Sequence, residues 1–264
     1  MALARRFPDL GPRLVSAAAL LVLGATAIWL GGVAFRALVT VALAAMLWEL
    51  HRMLAPGADR RLAAGLGAVG GGLVGGVALL VPMGVLVAGA LIASAAAAAT
   101  VPAAARLRFG LAAAAILVAG AALILLREGY GAAWMLWLVA LVIGSDVAGY
   151  FAGRAFGGPK FWPRVSPKKT WSGTVAGWIV AAMLGAGFAA PLGAGAGLVA
   201  LSVLVAMAGQ AGDIAESAIK RGAGVKDSSA LIPGHGGVMD RFDAMMGGAL
   251  AVLALHLLGL LGGA

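Results

Sequence analysis

The sequence predicts an all-α, polytopic integral membrane protein with about nine transmembrane helices and a cytoplasmic N-terminus. The chain of 264 residues is 62% hydrophobic, its mean hydropathy is +1.03, and only 11% of its residues are charged. Soluble domains carry about 25% charged residues, so lipid is the expected solvent. The apolar runs are long and continuous rather than alternating, which indicates helices rather than an outer-membrane barrel.

The helices are placed by length, since a span needs about 20 apolar residues. The chain is expected to form one membrane domain, 1–264, in which residues 1–130 are a helical scaffold and residues 131–264 carry the candidate site. There is no cysteine, which excludes disulfides and thiolate metal sites. The predicted spans are 14–30, 33–50, 62–81, 84–104, 110–126, 132–151, 171–190, 195–217 and 239–261.

The basic residues predict the orientation. With nine spans, only Arg36 and Arg127 of the 19 Lys and Arg residues fall on one side of the membrane. Basic loops stay in the cytoplasm, so the N-terminus is predicted inside and the C-terminus outside. The net charge of +9 is therefore interpreted as a topology signal and not as a nucleic-acid surface. Arg5, Arg6 and Arg13 precede an apolar run that is long for a signal peptide, so a retained first helix is expected.

Two glycine patterns lie in the scaffold half. Gly65, Gly67 and Gly70 match the dinucleotide pattern GxGxxG, but neither a strand nor a βαβ unit surrounds them, which argues against a nucleotide fold. The pairs Gly71/Gly75 and Gly72/Gly76 have the spacing that lets helices approach closely.

Acidic residues inside apolar runs mark the second half. Asp146 and Asp213 lie toward the cytoplasmic ends of predicted spans, where a carboxylate needs a partner or a polar cavity. On a helix, Asp213, Glu216, Ser217 and Lys220 share one face. The alternative is a solvated helix end with a simple Glu216–Lys220 neighbour pair.

A glycine-rich loop precedes the last predicted span. Glycines such as Gly234 permit backbone conformations that other residues resist, and the N–H groups of such loops can bind phosphate. Asp240 and Asp243 start the last helix and can share a face. Asp213 and Asp240 are predicted to hold one or two Mg²⁺ ions through oxygen ligands. His235 is interpreted as a backbone-positioning or a chemical residue.

Two upstream segments belong with this loop. The stretch after Asp146 places glycines on the same helix face, where close helix packing is the alternative. Ser166 is predicted as an N-cap and Pro167 as the first residue of a helix. Lys168 and Lys169 would then form an anion site at a helix N-terminus. Anchoring beside lipid head groups is the alternative for these lysines.

These segments together resemble the phosphatidate cytidylyltransferases, also called CDP-diglyceride synthases. The segments around Asp146 and Ser166 are similar to that family's upstream blocks, while Ser172 departs from an acidic residue found in many members. The short N-terminus favours a bacterial source. The principal pattern is Ser217-x-Ile219-Lys220-Arg221-x₄-Lys226-Asp227-x₅-Pro233-Gly234-His235-Gly236-Gly237-x₂-Asp240-Arg241-x-Asp243.

The resemblance implies the reaction of CTP with phosphatidate to give CDP-diacylglycerol and pyrophosphate, for phospholipid biosynthesis. The expected metal ligands are Asp213 and Asp240, the expected cofactor is Mg²⁺ as one ion or two, and a monovalent cation is a further option. Partners are CTP, phosphatidate, membrane lipids and a second copy of the chain in a homodimer, with no nucleic acid. The expected location is a bacterial inner membrane, with the active site facing the cytoplasm. The phosphate-binding residues would be Lys168, Lys169, Lys220, Arg221 and Arg241, and the rest of the site Asp146, Ser217, Lys226, Asp227, His235 and Asp243.

Two other classes of function are considered. A transporter or proton-coupled carrier would use Asp146 and Asp213 as coupling groups, but would not explain why cations and a glycine-rich loop gather at the same membrane face. Another lipid-phosphate enzyme, such as a CTP-dependent polyprenol kinase or a CDP-alcohol phosphotransferase, is the second alternative. The DxxDGxxAR block typical of the latter is absent from the sequence.

Overall fold

A computed structural model gives the fold and describes residues 10–78 and 80–262, with the backbone alone at 10–14. The described part contains nine α-helices, and each predicted span overlaps one of them. Arg5 and Arg6, part of the predicted basic N-terminus, lie outside the described residues. The helices are α1 (Leu10–Leu30), α2 (Gly32–Leu54), α3 (Arg60–Val77), α4 (Met83–Ala98), α5 (Arg106–Leu125), α6 (Ala132–Phe156), α7 (Trp171–Ala189), α8 (Gly197–Gly222) and α9 (Met239–Leu257).

A short β-hairpin corrects one prediction. The fold is predominantly helical, as predicted, but strands β1 (Lys160–Trp162) and β2 (Ser166–Thr170) pair antiparallel where a helix start was expected. Ser166 is not an N-cap and Pro167 does not begin a helix. A residue before proline avoids the helical region, which favours an extended segment here. The helix instead begins at Trp171, where the Thr170 hydroxyl accepts a hydrogen bond from the Gly173 N–H at 3.3 Å.

Five helical segments in the described part are long and apolar enough to cross a membrane, by length and composition. Their outward surfaces carry large apolar side chains such as Val33 and Leu107. This is the character of a multi-pass membrane protein, whereas the count of nine spans and the orientation stay predictions. The five segments are Gly32–Leu54, Ala103–Tyr130, Ala132–Phe156, Trp171–Ala189 and Gly197–Gly222.

The described residues form two compact units. The first unit holds the described residues up to Leu117 together with Ala223–Phe242. Its helices α2 and α3 pack closely at Gly71. A Cβ at this position would lie 2.5 Å from the Thr40 carbonyl oxygen, so the absence of a side chain allows the approach. Gly67 and Gly75 face α2 in the same way, whereas Gly72 and Gly76 meet nothing within 4 Å. The pattern Gly65, Gly67, Gly70 lies within helix α3, which excludes the dinucleotide turn.

The second unit holds Val118–Gly222 and the described residues from Asp243 onward. The backbones of α6 and α7 touch at Gly149 and Gly173, as the packing alternative for the Asp146 segment predicts. Helices α8 and α9 approach at Gly212, where a Cβ would lie 2.6 Å from the Asp243 carbonyl oxygen. The Trp137 indole N–H donates to the Ser202 hydroxyl at 2.9 Å inside this unit. These small-residue contacts hold three acid-bearing helices close together.

Candidate active site

Asp213 and Lys169 form an ion pair in the second unit. The Lys169 Nζ lies 2.6 Å from the Asp213 Oδ2 and 3.4 Å from the Gln210 carbonyl oxygen. The other carboxylate oxygen, Oδ1, accepts a longer hydrogen bond of 3.5 Å from the Ser217 hydroxyl. Lys169 belongs to β2, two positions before helix α7 begins at Trp171. The lysine therefore acts from the end of a strand and not from a helix N-terminus.

Three carboxylates interact within the same unit. Asp243 on α9 is repelled by Asp213 on α8 and, more weakly, by Asp146 on α6. Lys220 attracts Asp243, and Lys169 attracts Asp146. Three helices and one strand thus bring acids and lysines into one electrostatic cluster, which we call the acid–lysine cluster.

The carboxylate oxygens of the acid–lysine cluster are the kind of ligand that a hard cation such as Mg²⁺ binds. Carboxylate oxygens are the ligands that Mg²⁺ prefers, and Mg²⁺ usually binds through one or two carboxylates plus waters and substrate phosphates. Among residues 10–78 and 80–262, no group of three or more His, Cys, Asp or Glu side chains could by itself hold a metal ion. Asp213 and Asp243 are the carboxylates that would hold Mg²⁺ in this unit, with the remaining ligands from phosphate and water.

Lys220 lies on the predicted polar face of α8, but it is not solvated. Its Nζ is 2.6 Å from the Glu216 Oε2, and both side chains are buried. The structure contradicts the alternative of a solvated helix end. A buried ion pair costs desolvation, which favours a specific electrostatic role over a contribution to stability.

The glycine-rich loop lies in the first unit and is organised by Asp240. The Asp240 Oδ2 accepts hydrogen bonds from the Ser228 N–H at 2.9 Å, the Ser228 hydroxyl at 3.0 Å and the Gly237 N–H at 2.8 Å. Gly234 and Gly236 have φ values of 74° and 80°, a region that favours glycine. Asp240 thus closes the loop onto the start of α9, and its role as a metal ligand stays a prediction.

His235 makes contacts consistent with a positioning role. Its Nδ1 lies 2.7 Å from the Ser16 hydroxyl, which is also 3.1 Å from the Pro233 carbonyl oxygen. The Arg241 Nε donates to the His235 carbonyl oxygen at 3.1 Å. Helix α1 of the predicted scaffold therefore touches the loop, a contact that the sequence analysis missed.

Glu49 on α2 is the principal residue that the sequence analysis missed. Its side chain is fully buried and accepts four hydrogen bonds from the glycine-rich loop and the start of α9. The signal was present in the sequence, because Glu49 is an acid at the end of a predicted span, like Asp146 and Asp213. The remaining candidates, Lys168, Arg221, Lys226 and Asp227, lie on exposed positions.

Comparison with known proteins supports the resemblance. The chain matches the sequence model of the Cytidylyltransferase family over residues 12–259. It is 47% identical over 125 residues to the phosphatidate cytidylyltransferase of Brucella suis biovar 1 (strain 1330), a match that covers 46% of each chain. The enzymes of that name from Helicobacter pylori (strain 26695) and Bacillus subtilis (strain 168) are 41% and 35% identical, over 48% and 45% of this chain.

The match to each of these relatives spans about half the length of the relative. The family match, by contrast, extends over nearly the whole sequence. It contains both the acid–lysine cluster and the glycine-rich loop. The chain therefore belongs to the cytidylyltransferase family.

Proposed function

We propose that this chain is a phosphatidate cytidylyltransferase, which converts CTP and phosphatidate into CDP-diacylglycerol and pyrophosphate. The observation that carries the proposal is the Lys169–Asp213 pair within a cluster of carboxylates, in a chain that belongs to this family. The names of the relatives from Brucella, Helicobacter and Bacillus support the choice of phosphatidate as the lipid.

The reaction depends on neutralising the negative charge of the phosphates more than on proton transfer. A lipid phosphate oxygen attacks the α-phosphorus of CTP, and the bond from that phosphorus to the oxygen that bridges the α- and β-phosphates breaks, so that this oxygen leaves with pyrophosphate. The attacking phosphate is already an anion at neutral pH, so no strong base is needed. Bound Mg²⁺ would supply charge neutralisation of the phosphates. Asp213 and Asp243 would hold it within the second unit, while Asp240, in the first unit, is proposed separately as a metal ligand.

Lys169 is proposed to bind substrate phosphate beside Asp213. The Nζ is already held by the carboxylate, which orients the ammonium group before any ligand arrives. Phosphate oxygens form charge-assisted hydrogen bonds with lysine as carboxylates do, so exchange of the Asp213 contact for a phosphate contact would free that carboxylate for the metal. Lys220 would bind substrate phosphate while it is paired with Glu216 in a buried position. The exposed side chains of Arg221, Lys226 and Arg241 would contribute further positive charge for the phosphates.

The finer features of the proposal come from the basic residues and the resemblance. We propose nine spans, with the N-terminus and the active site on the cytoplasmic side of a bacterial inner membrane and a homodimer as the working form. The distribution of Lys and Arg supports the orientation. The carrier alternative loses support, because the chain matches the Cytidylyltransferase family over residues 12–259.

Product analysis tests the proposed function. Purified protein in detergent with Mg²⁺, CTP and phosphatidate should release pyrophosphate and form a lipid-linked cytidine nucleotide. Diacylglycerol, which lacks the phosphate, is the matched control lipid and should give neither product. Release of CDP instead of pyrophosphate would indicate a kinase and contradict the proposal. Absence of any CTP turnover with phosphatidate would contradict it as well.

A further inference from the structure

Glu49 binds the glycine-rich loop through both carboxylate oxygens. The Oε1 accepts from the Ser229 hydroxyl at 2.6 Å and the Val238 N–H at 2.9 Å. The Oε2 accepts from the Ser228 hydroxyl at 3.0 Å and the Met239 N–H at 2.8 Å. A carboxylate with 0% exposure is costly to bury unless it is fully hydrogen-bonded, and these four donors meet that requirement.

Two of the four donors belong to the beginning of helix α9. The first N–H groups of a helix have no partner within the helix and carry its positive partial charge. Val238 and Met239 therefore gain from Glu49 what an N-cap side chain normally supplies, but the acid comes from a different helix. Glu49 thus binds the backbone at the point where α9 begins, and α9 carries Asp240 in its first turn.

Ser228 connects Glu49 to Asp240. Its hydroxyl oxygen lies 3.0 Å from the Glu49 Oε2 and 3.0 Å from the Asp240 Oδ2. A hydroxyl has one hydrogen to donate, so the two carboxylates share it. A displacement of Glu49 therefore changes the hydrogen bonding of Asp240 directly.

Gly237 gives independent support. A Cβ at this position would collide with the Ser228 hydroxyl and with the carboxylate of Glu49. The backbone of Gly237 also donates to Asp240 at 2.8 Å, so the residue cannot move away without losing that bond. The third glycine of the loop is thus required by the space that Glu49 fills.

We infer that Glu49 is a positioning residue of the catalytic machinery, which holds the Ser228–Met239 loop and through Ser228 orients Asp240. Only the kinetic test of this inference rests on the proposed function, because the effect of Glu49 on the loop can be measured without substrate. Helix α2, part of the predicted scaffold, would then be necessary for turnover although the Glu49 side chain is fully buried.

The test compares the variants Glu49→Gln and Asp59→Asn. Hydrogen exchange measures the stability of the loop, and enzyme kinetics measures activity separately. Asp59 is the matched control because its carboxylate also accepts a backbone N–H, that of Arg61 at 2.9 Å, in the same unit but away from the loop. In substrate-free protein, hydrogen exchange at Val238 and Met239 should accelerate at least about tenfold in Glu49→Gln and stay unchanged in Asp59→Asn. Unchanged exchange in Glu49→Gln would overturn the inference, whatever the activity of the protein.

Kinetics then connects the loop to turnover. Glu49→Gln and Gly237→Ala should each lower kcat at least about tenfold, and Glu49→Gln combined with Ser229→Ala should be no worse than Glu49→Gln alone, since both changes break one network. A purely structural role is tested with Val39→Ala, which removes two methyl groups from a buried position on the same helix. If Val39→Ala lowers both the melting temperature and kcat as much as Glu49→Gln does, the effect of Glu49→Gln is a general loss of stability and Glu49 has no positioning role. An inactive wild type with fast exchange in Glu49→Gln would refute the proposed function but leave the control of the loop by Glu49 supported.

Discussion

Replacement of Lys169 by Gln separates substrate binding from membrane anchoring. Lys169 is paired with Asp213 at 2.6 Å, whereas the adjacent Lys168 is exposed. Lys168→Gln is therefore the matched control, since it removes the same charge from the same strand. An anchoring role predicts equal and small effects from the two variants, whereas a catalytic role predicts an effect from Lys169→Gln alone.

The magnitude follows from the geometry of the pair. A charge-assisted hydrogen bond is worth about 1.5–3 kcal/mol, which corresponds to about 10- to 150-fold in an equilibrium or rate constant. The side chains of Lys169 and Asp213 are 19% and 30% exposed, so water screens part of this energy and the lower end applies. Lys169→Gln should lower kcat/KM for CTP at least about tenfold, and Lys168→Gln less than about twofold.

The assay is pyrophosphate release at saturating phosphatidate, with the melting temperature of each variant measured in parallel. Retention of more than half of the wild-type kcat/KM by Lys169→Gln would refute the reasoning. A larger loss from Lys168→Gln than from Lys169→Gln would refute it equally. A loss from Lys169→Gln that matches a general loss of folded protein would assign the pair to stability rather than to catalysis.

Four further predictions concern the metal, the packing and the topology. Asp213→Asn should lower Mg²⁺-dependent turnover at least about a hundredfold with normal membrane insertion, and Asp240→Asn likewise; near-normal activity of either variant would remove that residue from the ligand set. Chelation of Mg²⁺ should abolish turnover and its return should restore it, and EDTA-resistant activity would contradict metal dependence. Gly71→Val should lower the melting temperature by several degrees, because its side chain would meet the backbone of Thr40, whereas Gly72→Val on the open face should leave it unchanged. Reporter fusions within the cytoplasmic loops should read inside and a fusion at the C-terminus outside; a C-terminus that reads inside would contradict nine spans. The fusion sites are Gly57, Arg106, Lys160, Val225 and Ala264.

The positions of the helices could be predicted from the sequence because each follows from a local property. A run of about 20 apolar residues satisfies its own backbone hydrogen bonds only as a helix, so apolar length determines where helices form. The hairpin at Lys160–Thr170 was missed because the N-cap pattern at Ser166 and Pro167 is local as well, and strand pairing is not. The register that pairs Lys160 with Thr170 depends on residues ten positions apart.

The site shows the same division between local and distant information. Sequence spacing placed Asp213, Glu216, Ser217 and Lys220 on one helix face, and the Asp213–Ser217 and Glu216–Lys220 contacts confirm that face. Spacing could not show that Glu216 and Lys220 are buried, because burial depends on the helices packed around α8.

The sequence by itself determined the class of protein, the helix positions and the segments that carry the chemistry, since composition, periodicity and motif spacing are properties of the chain. Only the tertiary structure decided which partners these residues have. Lys169 reaches Asp213 across 44 positions, and Glu49 reaches Ser228 across 179. Hydrogen bonds of this kind depend on helix packing, which close contacts at glycines such as Gly71 and Gly173 make possible. No local pattern encodes these partners: the place of Glu49 at the end of a predicted span marks an unusual acid, but only the folded protein shows that it binds the glycine-rich loop.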